Sequence, residues 1–219
     1  MPDAYIFDLD GTLADSYRAL AASLNYVRAA AGLAPLSVAE VRRLVGEGRR
    51  RLLAKGAPGM PVEDAIALFA DHHPSVVTQE TKLLPGARTV LRTLSRRGRK
   101  IALASNKPGE YCTTILRHFG LDGIVRQVWD PQRAGAPKPD PAMLLAAVHS
   151  LDASPGDAVY VGDMVIDVDV ARRAGLPVWT VATGGSTIGE LRDARPDRLL
   201  RRLSEILDLD EGGQTAVGA

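Results

Sequence analysis

Two acids separated by one residue end the first apolar run of this chain: residues 4–12 read AYIFDLDGT. A short, continuous apolar run is typical of a buried strand in a parallel sheet. Because side chains at positions i and i+2 of a strand point the same way, Asp8 and Asp10 can face one pocket. The run therefore predicts a strand that carries paired carboxylates to the carboxyl edge of an α/β sheet, where such sheets bind ligands.

Further polar groups follow apolar runs later in the chain. They are Ser105-Asn106-Lys107 after residues 100–104, Lys138 within the segment APKPDP of residues 136–141, and Asp163 and Asp167 after residues 158–161. All can converge on the acidic pair, since parallel strands end at one edge of a sheet. Clustered anions need cations to hold them ionised, and the prolines beside Lys138 favour a fixed position for it. Lys107 could equally lie in solvent, away from this cluster.

The composition indicates a globular protein that acts on a small molecule. The 219 residues are 46% hydrophobic, enough for one core with a small appended domain. The net charge of +1 gives no reason to expect a nucleic-acid or membrane partner. The sequence shows no secretory signal or membrane span, and Cys112 is its single cysteine, so we expect a cytoplasmic protein. We expect either a monomer or a homodimer. The histidines, including His72 and His73, lack a common metal spacing and are expected as core or surface residues.

Helical periodicity and strand-like runs divide the chain into two parts. Residues 16–84 have a helical pattern without a convincing strand, and helices are expected over 17–31, 37–54 and 62–77. After Pro85 and Gly86, helices alternate with apolar runs, which predicts parallel strands joined by crossovers. Strands are expected over 100–104, 125–129, 158–161 and 178–181, core helices over 88–97, 109–119, 141–150 and 167–174, and a terminal helix over 201–207.

This pattern predicts an α/β fold with a small inserted domain. Residues 1–15 and 85–208 are expected to form a Rossmann-like, three-layer α/β/α core with a parallel sheet. Residues 16–84 are expected to form an α-helical cap, with hinges at 13–16 and 83–86. Residues 209–219 have little to bury and are expected to be disordered.

As an ordered set, these motifs resemble the haloacid dehalogenase superfamily, specifically its phosphatases with a helical cap after the first strand. Residues 8–12 match the first family motif, DxDGT, and the continuation LADS at 13–16 is similar to the phosphoglycolate phosphatase branch. Ser105 matches the second motif, Lys138 the third, and Asp163 and Asp167 the fourth, GDxxxD. The chain departs from the family at Gly185, where relatives commonly carry an aromatic residue.

The resemblance implies a Mg²⁺-dependent phosphomonoester hydrolase that forms an aspartyl phosphate. Asp8 would be the nucleophile, while Asp10 would protonate the leaving oxygen and then deprotonate the attacking water. Lys138 would hold Asp8 and a phosphoryl oxygen together. The implied metal ligands are the Asp8 carboxylate, the Asp10 backbone carbonyl and Asp163, with Asp167 orienting the shell or binding directly.

Substrate contacts are expected from the core and the cap. The candidates for phosphate binding are Gly11, Thr12, Ser105 and Asn106. Residues 45–49, VGEGR, are similar to the glycine-flanked cap loop of phosphoglycolate phosphatases. This likeness makes Gly46 and Arg49 candidates for contacting the far end of the substrate, with Arg50 and Arg51 as alternatives to Arg49.

The leading candidate substrate is 2-phosphoglycolate, and two rival functions stay open. A β-phosphoglucomutase-like sugar phosphate mutase would keep both Asp8 and Asp10. A binding protein of the same fold without turnover is the other rival. Asp10 argues against haloacid dehalogenases and phosphonate hydrolases, because the resemblance implies no acid at that position in them.

Overall fold

The structure is a computed structural model that describes residues 2–211, with the side chain of Glu211 left out. Its strands are β1 (Ala4–Phe7), β2 (Ala14–Asp15), β3 (Lys82–Leu83), β4 (Lys100–Ala104), β5 (Gln127–Trp129), β6 (Ala158–Gly162), β7 (Val178–Val181) and β8 (Arg198–Leu200). Six of them form a parallel sheet in the order β5-β4-β1-β6-β7-β8. This sheet confirms the predicted α/β fold.

The described residues form eleven α-helices. They are α1 (Tyr17–Ala30), α2 (Val38–Leu44), α3 (Arg49–Gly56), α4 (Val62–Val76), α5 (Ala87–Arg96), α6 (Gly109–His118), α7 (Pro131–Ala134), α8 (Ala142–Ser150), α9 (Val165–Arg173), α10 (Ile188–Ala194) and α11 (Glu205–Glu211). Along β1, Tyr5 and Phe7 pack into one apolar cluster with α5 and α6, while Ala4 and Ile6 pack into another with α8 and α9. The alternation of side chains along the strand thus produces the three layers.

Strand β1 lies at the centre of the sheet and brings three strand ends together. It pairs in parallel with β4 and β6, and Phe7 aligns with Leu103 and Val161. The residues after these positions therefore emerge side by side at the carboxyl edge. All four residues of β1 are fully buried, which explains why its sequence is apolar throughout.

The helical block differs from its predicted outline in two places. The helix expected over 37–54 is divided into α2 and α3, because Gly46 (φ 123°) and Gly48 (φ 88°) adopt backbone angles that helices do not allow. Strands β2 and β3, which were not expected, pair antiparallel where the chain enters and leaves the block. That residues 16–84 behave as a separate domain stays a prediction.

For residues 209–211 the structure corrects the predicted disorder. Helix α11 reaches Glu211, so residues 209–211 are helical, while residues 212–219 lie outside the described residues. Asp210 is buried, accepts a hydrogen bond from the Tyr5 hydroxyl (2.9 Å) and pairs with Arg97 (2.9 Å) and Arg99 (3.0 Å). These partners are far away in sequence, so local composition gave no sign of them.

Three shorter elements, α7, α10 and β8, were also not predicted from the sequence. In the part of the chain that the structure describes, no helix has both the length and the apolar character needed to cross a bilayer.

Candidate active site

The site forms where β1, β4 and β6 end. The Asp8 amide donates to the Val161 carbonyl (2.9 Å), and the Ser105 amide donates to the Trp129 carbonyl (3.0 Å), so each residue is fixed at its strand end. Asp163 directly follows β6 and is fully buried. The acidic pair and the later polar groups therefore meet at one edge of the sheet.

Lys138 is buried and lies between two carboxylates. Its Nζ is 3.2 Å from Oδ1 of Asp8 and 2.7 Å from Oδ1 of Asp167, and it donates to the Tyr160 hydroxyl (2.9 Å). The Asn106 side chain holds the lysine backbone, accepting from the Lys138 amide (2.8 Å) and donating to its carbonyl (3.3 Å). The lysine on its proline-rich loop is thus fixed against the carboxylates.

Three buried carboxylates form a compact cluster: one oxygen each from Asp8, Asp163 and Asp167 lie within 4.8 Å of one another. Asp163 accepts hydrogen bonds on both oxygens, from the Thr12 hydroxyl (2.9 Å) and the Gly185 amide (2.8 Å). One oxygen of Asp167 accepts from the Asp163 amide (3.0 Å), and the other pairs with the lysine. Oδ1 of Asp8 is buried and accepts no hydrogen bond from the described residues, but it forms an ion pair with Lys138 at 3.2 Å.

The cluster has more negative than positive charge. Burial raises the pKa of Asp8 to about 6; Lys138 opposes this shift, while Asp167 adds to it. Burial, followed by repulsion from Asp167 and Asp8, raises the pKa of Asp163 well above its ordinary value. For Lys138, burial would lower the pKa, but the two carboxylates raise it overall. Three acids around one ammonium group form an all-oxygen donor set that suits a hard divalent cation.

Asp10 has partners of its own. The ammonium group of Lys107 is 3.2 Å from Oδ2 of Asp10, and the buried Ser16 hydroxyl donates to the other oxygen. Lys107 is buried, so the alternative of a solvated lysine is wrong. Its packing against Asp10 depends on how β4 and β1 lie together, which local sequence does not reveal.

Three glycines allow the backbone to approach the acids closely. A Cβ atom on Gly184 would lie 1.7 Å from Oδ2 of Asp163, and one on Gly162 would lie 2.4 Å from Asp167. Gly11 also passes Asp163 and has a φ of 88°, which favours glycine. A side chain at any of these positions would overlap a carboxylate, so glycine is needed there for the acids to keep their positions.

A small cavity of about 50 Å³ connects the acids to the helical block. Its lining includes Asp8, Asp10, Ser105, Asn106, Lys107 and Lys138 from the core, and Gly46, Arg49, Leu52, Phe69 and His73 from the helical block. The Asn106 amide donates to the Gly46 carbonyl (2.9 Å), so the loop before α3 contacts the core directly. Arg50 and Arg51 instead form exposed ion pairs with Glu63 and Glu47.

Several residues of the site were not predicted from the sequence, among them Tyr160, Met164 and His73. Tyr160 contacts Lys138, Met164 lines the cavity, and His73 lines it from α4. The signal for Tyr160 was a phenol within an otherwise apolar strand. The Met164 side chain packs against Gly46 and Gly185. A Cβ atom would lie 2.7 Å from it on Gly46 and 3.0 Å from it on Gly185. The methionine thus packs beside the position at which relatives were expected to carry a ring.

The fold and the acid–lysine site define a hydrolase with an α/β core. Residues 5–181 match the family of haloacid dehalogenase-like hydrolases, and the chain belongs to that family. It is 35% identical over 197 residues to a phosphoglycolate phosphatase of Rhodospirillum rubrum, covering 85% of this chain and 82% of that protein. A phosphoglycolate phosphatase of Cereibacter sphaeroides is also 35% identical, covering 93% of this chain and 95% of the relative.

A solved structure agrees with the sequence relatives. The crystal structure of a predicted phosphoglycolate phosphatase from Haemophilus somnus 129PT is similar with a TM-score of 0.87 at 26% identity, covering 95% of this chain and 97% of that one. The chain is therefore a phosphoglycolate phosphatase-like hydrolase of the haloacid dehalogenase superfamily, as the sequence motifs predicted.

Proposed function

We propose that this protein is a Mg²⁺-dependent phosphomonoester hydrolase that works through an aspartyl phosphate on Asp8. The observation that carries this proposal is that Asp8 lines the cavity with its Oδ1 3.2 Å from the ammonium group of Lys138. The lining of the cavity includes Asp8 but neither Asp163 nor Asp167, so Asp8 is the acid of the cluster best placed to attack a bound substrate.

The reaction has two displacements. An oxygen of Asp8 attacks the phosphorus, the bond from phosphorus to the ester oxygen breaks, and the protonated Asp10 carboxyl gives its proton to that oxygen. Water then attacks the phosphorus of the acyl phosphate and gives a proton to Asp10; inorganic phosphate leaves and Asp8 is regenerated. Lys107 and Ser16 fix the position of the Asp10 carboxyl, which lines the same cavity as Asp8.

The donor set fits a magnesium ion. The Asp8 carboxylate, Asp163 and the Asp10 backbone carbonyl would hold it, and Asp167 would orient the shell because its oxygens already bond to the Asp163 amide and to Lys138. When bound, Mg²⁺ would neutralise the charge of the phosphoryl oxygens. Lys138, 3.2 Å from Asp8, would add a second positive charge.

The phosphate group is expected to bind between the first loop and the end of β4. Its ligands would be the backbone amides around Gly11 and Thr12 and the polar groups of Ser105 and Asn106. Of these, Thr12 also fixes Asp163 through its hydroxyl, which links phosphate binding to the acidic cluster.

The cavity is small, about 50 Å³, which favours a small ester. The relatives named phosphoglycolate phosphatase and the cations Arg49 and Lys107 beside the cavity make 2-phosphoglycolate the first substrate to test. Gly46 would contact the non-phosphate end of the substrate when the cap is closed.

A phosphate-release screen tests the proposal. Purified protein with Mg²⁺ would be assayed on 2-phosphoglycolate, sugar phosphates, nucleotides and pyrophosphate, with Asp8→Asn as the inactive control. We expect the highest kcat/KM on 2-phosphoglycolate and no release by the variant. Isomerised sugar phosphate with little free phosphate would instead support a mutase. Release from no ester would support a binding protein, and turnover by Asp8→Asn would refute the assignment of the nucleophile.

A further inference from the structure

A buried histidine on the cap side of the cavity is unused by the mechanism above. His73 lies on α4, has no exposed surface and lines the same cavity as Asp8 and Asp10. Its ring stacks on Phe69 with a centroid distance of 4.7 Å and meets Tyr111 edge-on at 4.6 Å. The two aromatic neighbours fix the orientation of the imidazole.

The two ring nitrogens of His73 have different surroundings. Nδ1 is 2.8 Å from the Ser23 hydroxyl, whereas Nε2 is buried and has no hydrogen-bond partner among the described residues. Buried polar atoms are rarely left without a partner, because desolvation then goes uncompensated. An unpaired nitrogen on a residue that lines a substrate cavity therefore points to a ligand.

The neighbouring groups allow Nε2 to carry the proton. The Ser23 hydroxyl also lies 3.2 Å from Nδ1 of His72, and its single proton can go to only one of the two rings. When His72 donates to Ser23 and Ser23 donates to His73, the proton of His73 lies on Nε2. His72 is partly exposed and can adopt the tautomer that this arrangement requires.

The charges near His73 favour a neutral ring beside an anionic ligand. Burial, followed by the positive charges of Lys107, His72 and Arg49, lowers the pKa of His73 to about 3. Lys107 and Arg49 line the cavity as well. A neutral N–H donor beside two cations suits a carboxylate or carbonyl oxygen.

We propose that Nε2–H of His73 donates a hydrogen bond to a carboxylate or carbonyl oxygen at the non-phosphate end of the substrate. His73 is then a specificity-determining residue that favours phosphate esters of small hydroxy acids over esters of alcohols. The inference rests on the proposed function, because it takes the phosphate to be bound beside Asp8.

A matched pair of esters tests this role. The substrates are 2-phosphoglycolate and 2-hydroxyethyl phosphate, which has an alcohol in place of the carboxylate. Replacing His73→Phe keeps the aromatic stacking and should lower kcat/KM by about 10- to 100-fold for the acid, but less than about threefold for the alcohol ester. His73→Gln, which keeps an N–H donor, should restore part of the loss. Equal losses on both esters, no loss on either, or a larger loss on the alcohol would overturn the inference.

A binding experiment remains informative if His73→Phe fails to fold. In ¹⁵N-histidine-labelled Asp8→Asn protein with Mg²⁺, 2-phosphoglycolate should shift the Nε2 resonance of His73 and inorganic phosphate should not. Equal responses to both would overturn the inference.

Assays of the parent enzyme distinguish a failure of this inference from a failure of the proposed function. If it releases phosphate from other esters but does not favour the acid, only the inference fails. If it releases phosphate from no ester, the proposed function fails and the inference with it.

Discussion

Replacing Asp8 with asparagine is expected to stabilise the metal-free protein while it abolishes turnover. Asp8 lies within a cluster of three buried carboxylates that has a single lysine as its direct counter-ion. In the folded state, burial and repulsion from neighbouring carboxylates therefore disfavour the ionised form of Asp8. Asparagine has nearly the same shape without the charge, so folding no longer has to oppose these effects.

The magnitude follows from the pKa of Asp8, which burial raises from 3.8 to about 6. A folded pKa above the unfolded value means that stability is fully present below pH 3.8 and is lost as the pH rises through about 6. At 1.36 kcal/mol per pKa unit, the ionised carboxylate costs about 3 kcal/mol at pH 7. For a chain of this size, removing that cost should raise Tm by roughly 6–12 °C.

Thermal and urea unfolding in EDTA at pH 7 and pH 4 would measure this effect. The matched control is Asp169→Asn, an exposed helix acid paired with Arg173 at 3.0 Å, which should change stability by less than about 0.5 kcal/mol. The stabilisation by Asp8→Asn should largely disappear at pH 4, where the parent carboxyl is protonated. A variant no more stable than the parent at pH 7, or equally stabilised at both pH values, would refute the electrostatic reasoning.

Three further predictions concern residues around the site and the C-terminal helix. Gly184→Ala would place a Cβ 1.7 Å from Asp163, and we expect a loss of about 1–3 kcal/mol in urea unfolding together with weaker Mg²⁺ binding by calorimetry. Gly185→Ala, the control, meets only the flexible end of Met164 at 3.0 Å and should be tolerated. The pKa of His73 is lowered to about 3 in the folded state. Its contribution to stability is therefore fully present above its unfolded pKa and is lost as the pH falls. Parent stability should thus drop by about 2 kcal/mol more than that of His73→Phe between pH 6.5 and pH 5 in urea titrations, and equal slopes would contradict the assignment. Asp210→Ala should cost about 2–4 kcal/mol in the same assay, because it removes the acceptor of the buried Tyr5 hydroxyl and the carboxylate shared by Arg97 and Arg99, whereas the exposed Asp208→Ala should have little effect.

Local pattern was sufficient for the parts of the site that follow strands. The runs before Asp8, Ser105 and Asp163 form the central strands β1, β4 and β6, because short apolar segments between turns have few alternatives in an α/β fold. The structure brings Asp8, Asp10, Asp163, Asp167 and Lys138 together at the predicted edge. Their catalytic roles stay predictions.

Residues whose position depends on distant partners were not predictable in the same way. From the sequence, Lys107 could equally have been a solvated surface lysine. In the structure it follows β4 and pairs with Asp10. The imidazole of His73 becomes a candidate donor only because α4 lies over the core and its Nε2 lacks a partner. The break between α2 and α3 depends on two glycines whose φ values the helical pattern does not reveal.

The sequence by itself determined the α/β class, the order of the motifs and the strand ends that carry the acids, since these follow from local periodicity and the two-residue repeat of a strand. Only the tertiary structure decided which charges are buried and what faces them. Asp210, which bonds to Tyr5 at the other end of the chain, shows the reason: the energy of a buried polar group is set by partners that packing brings to it.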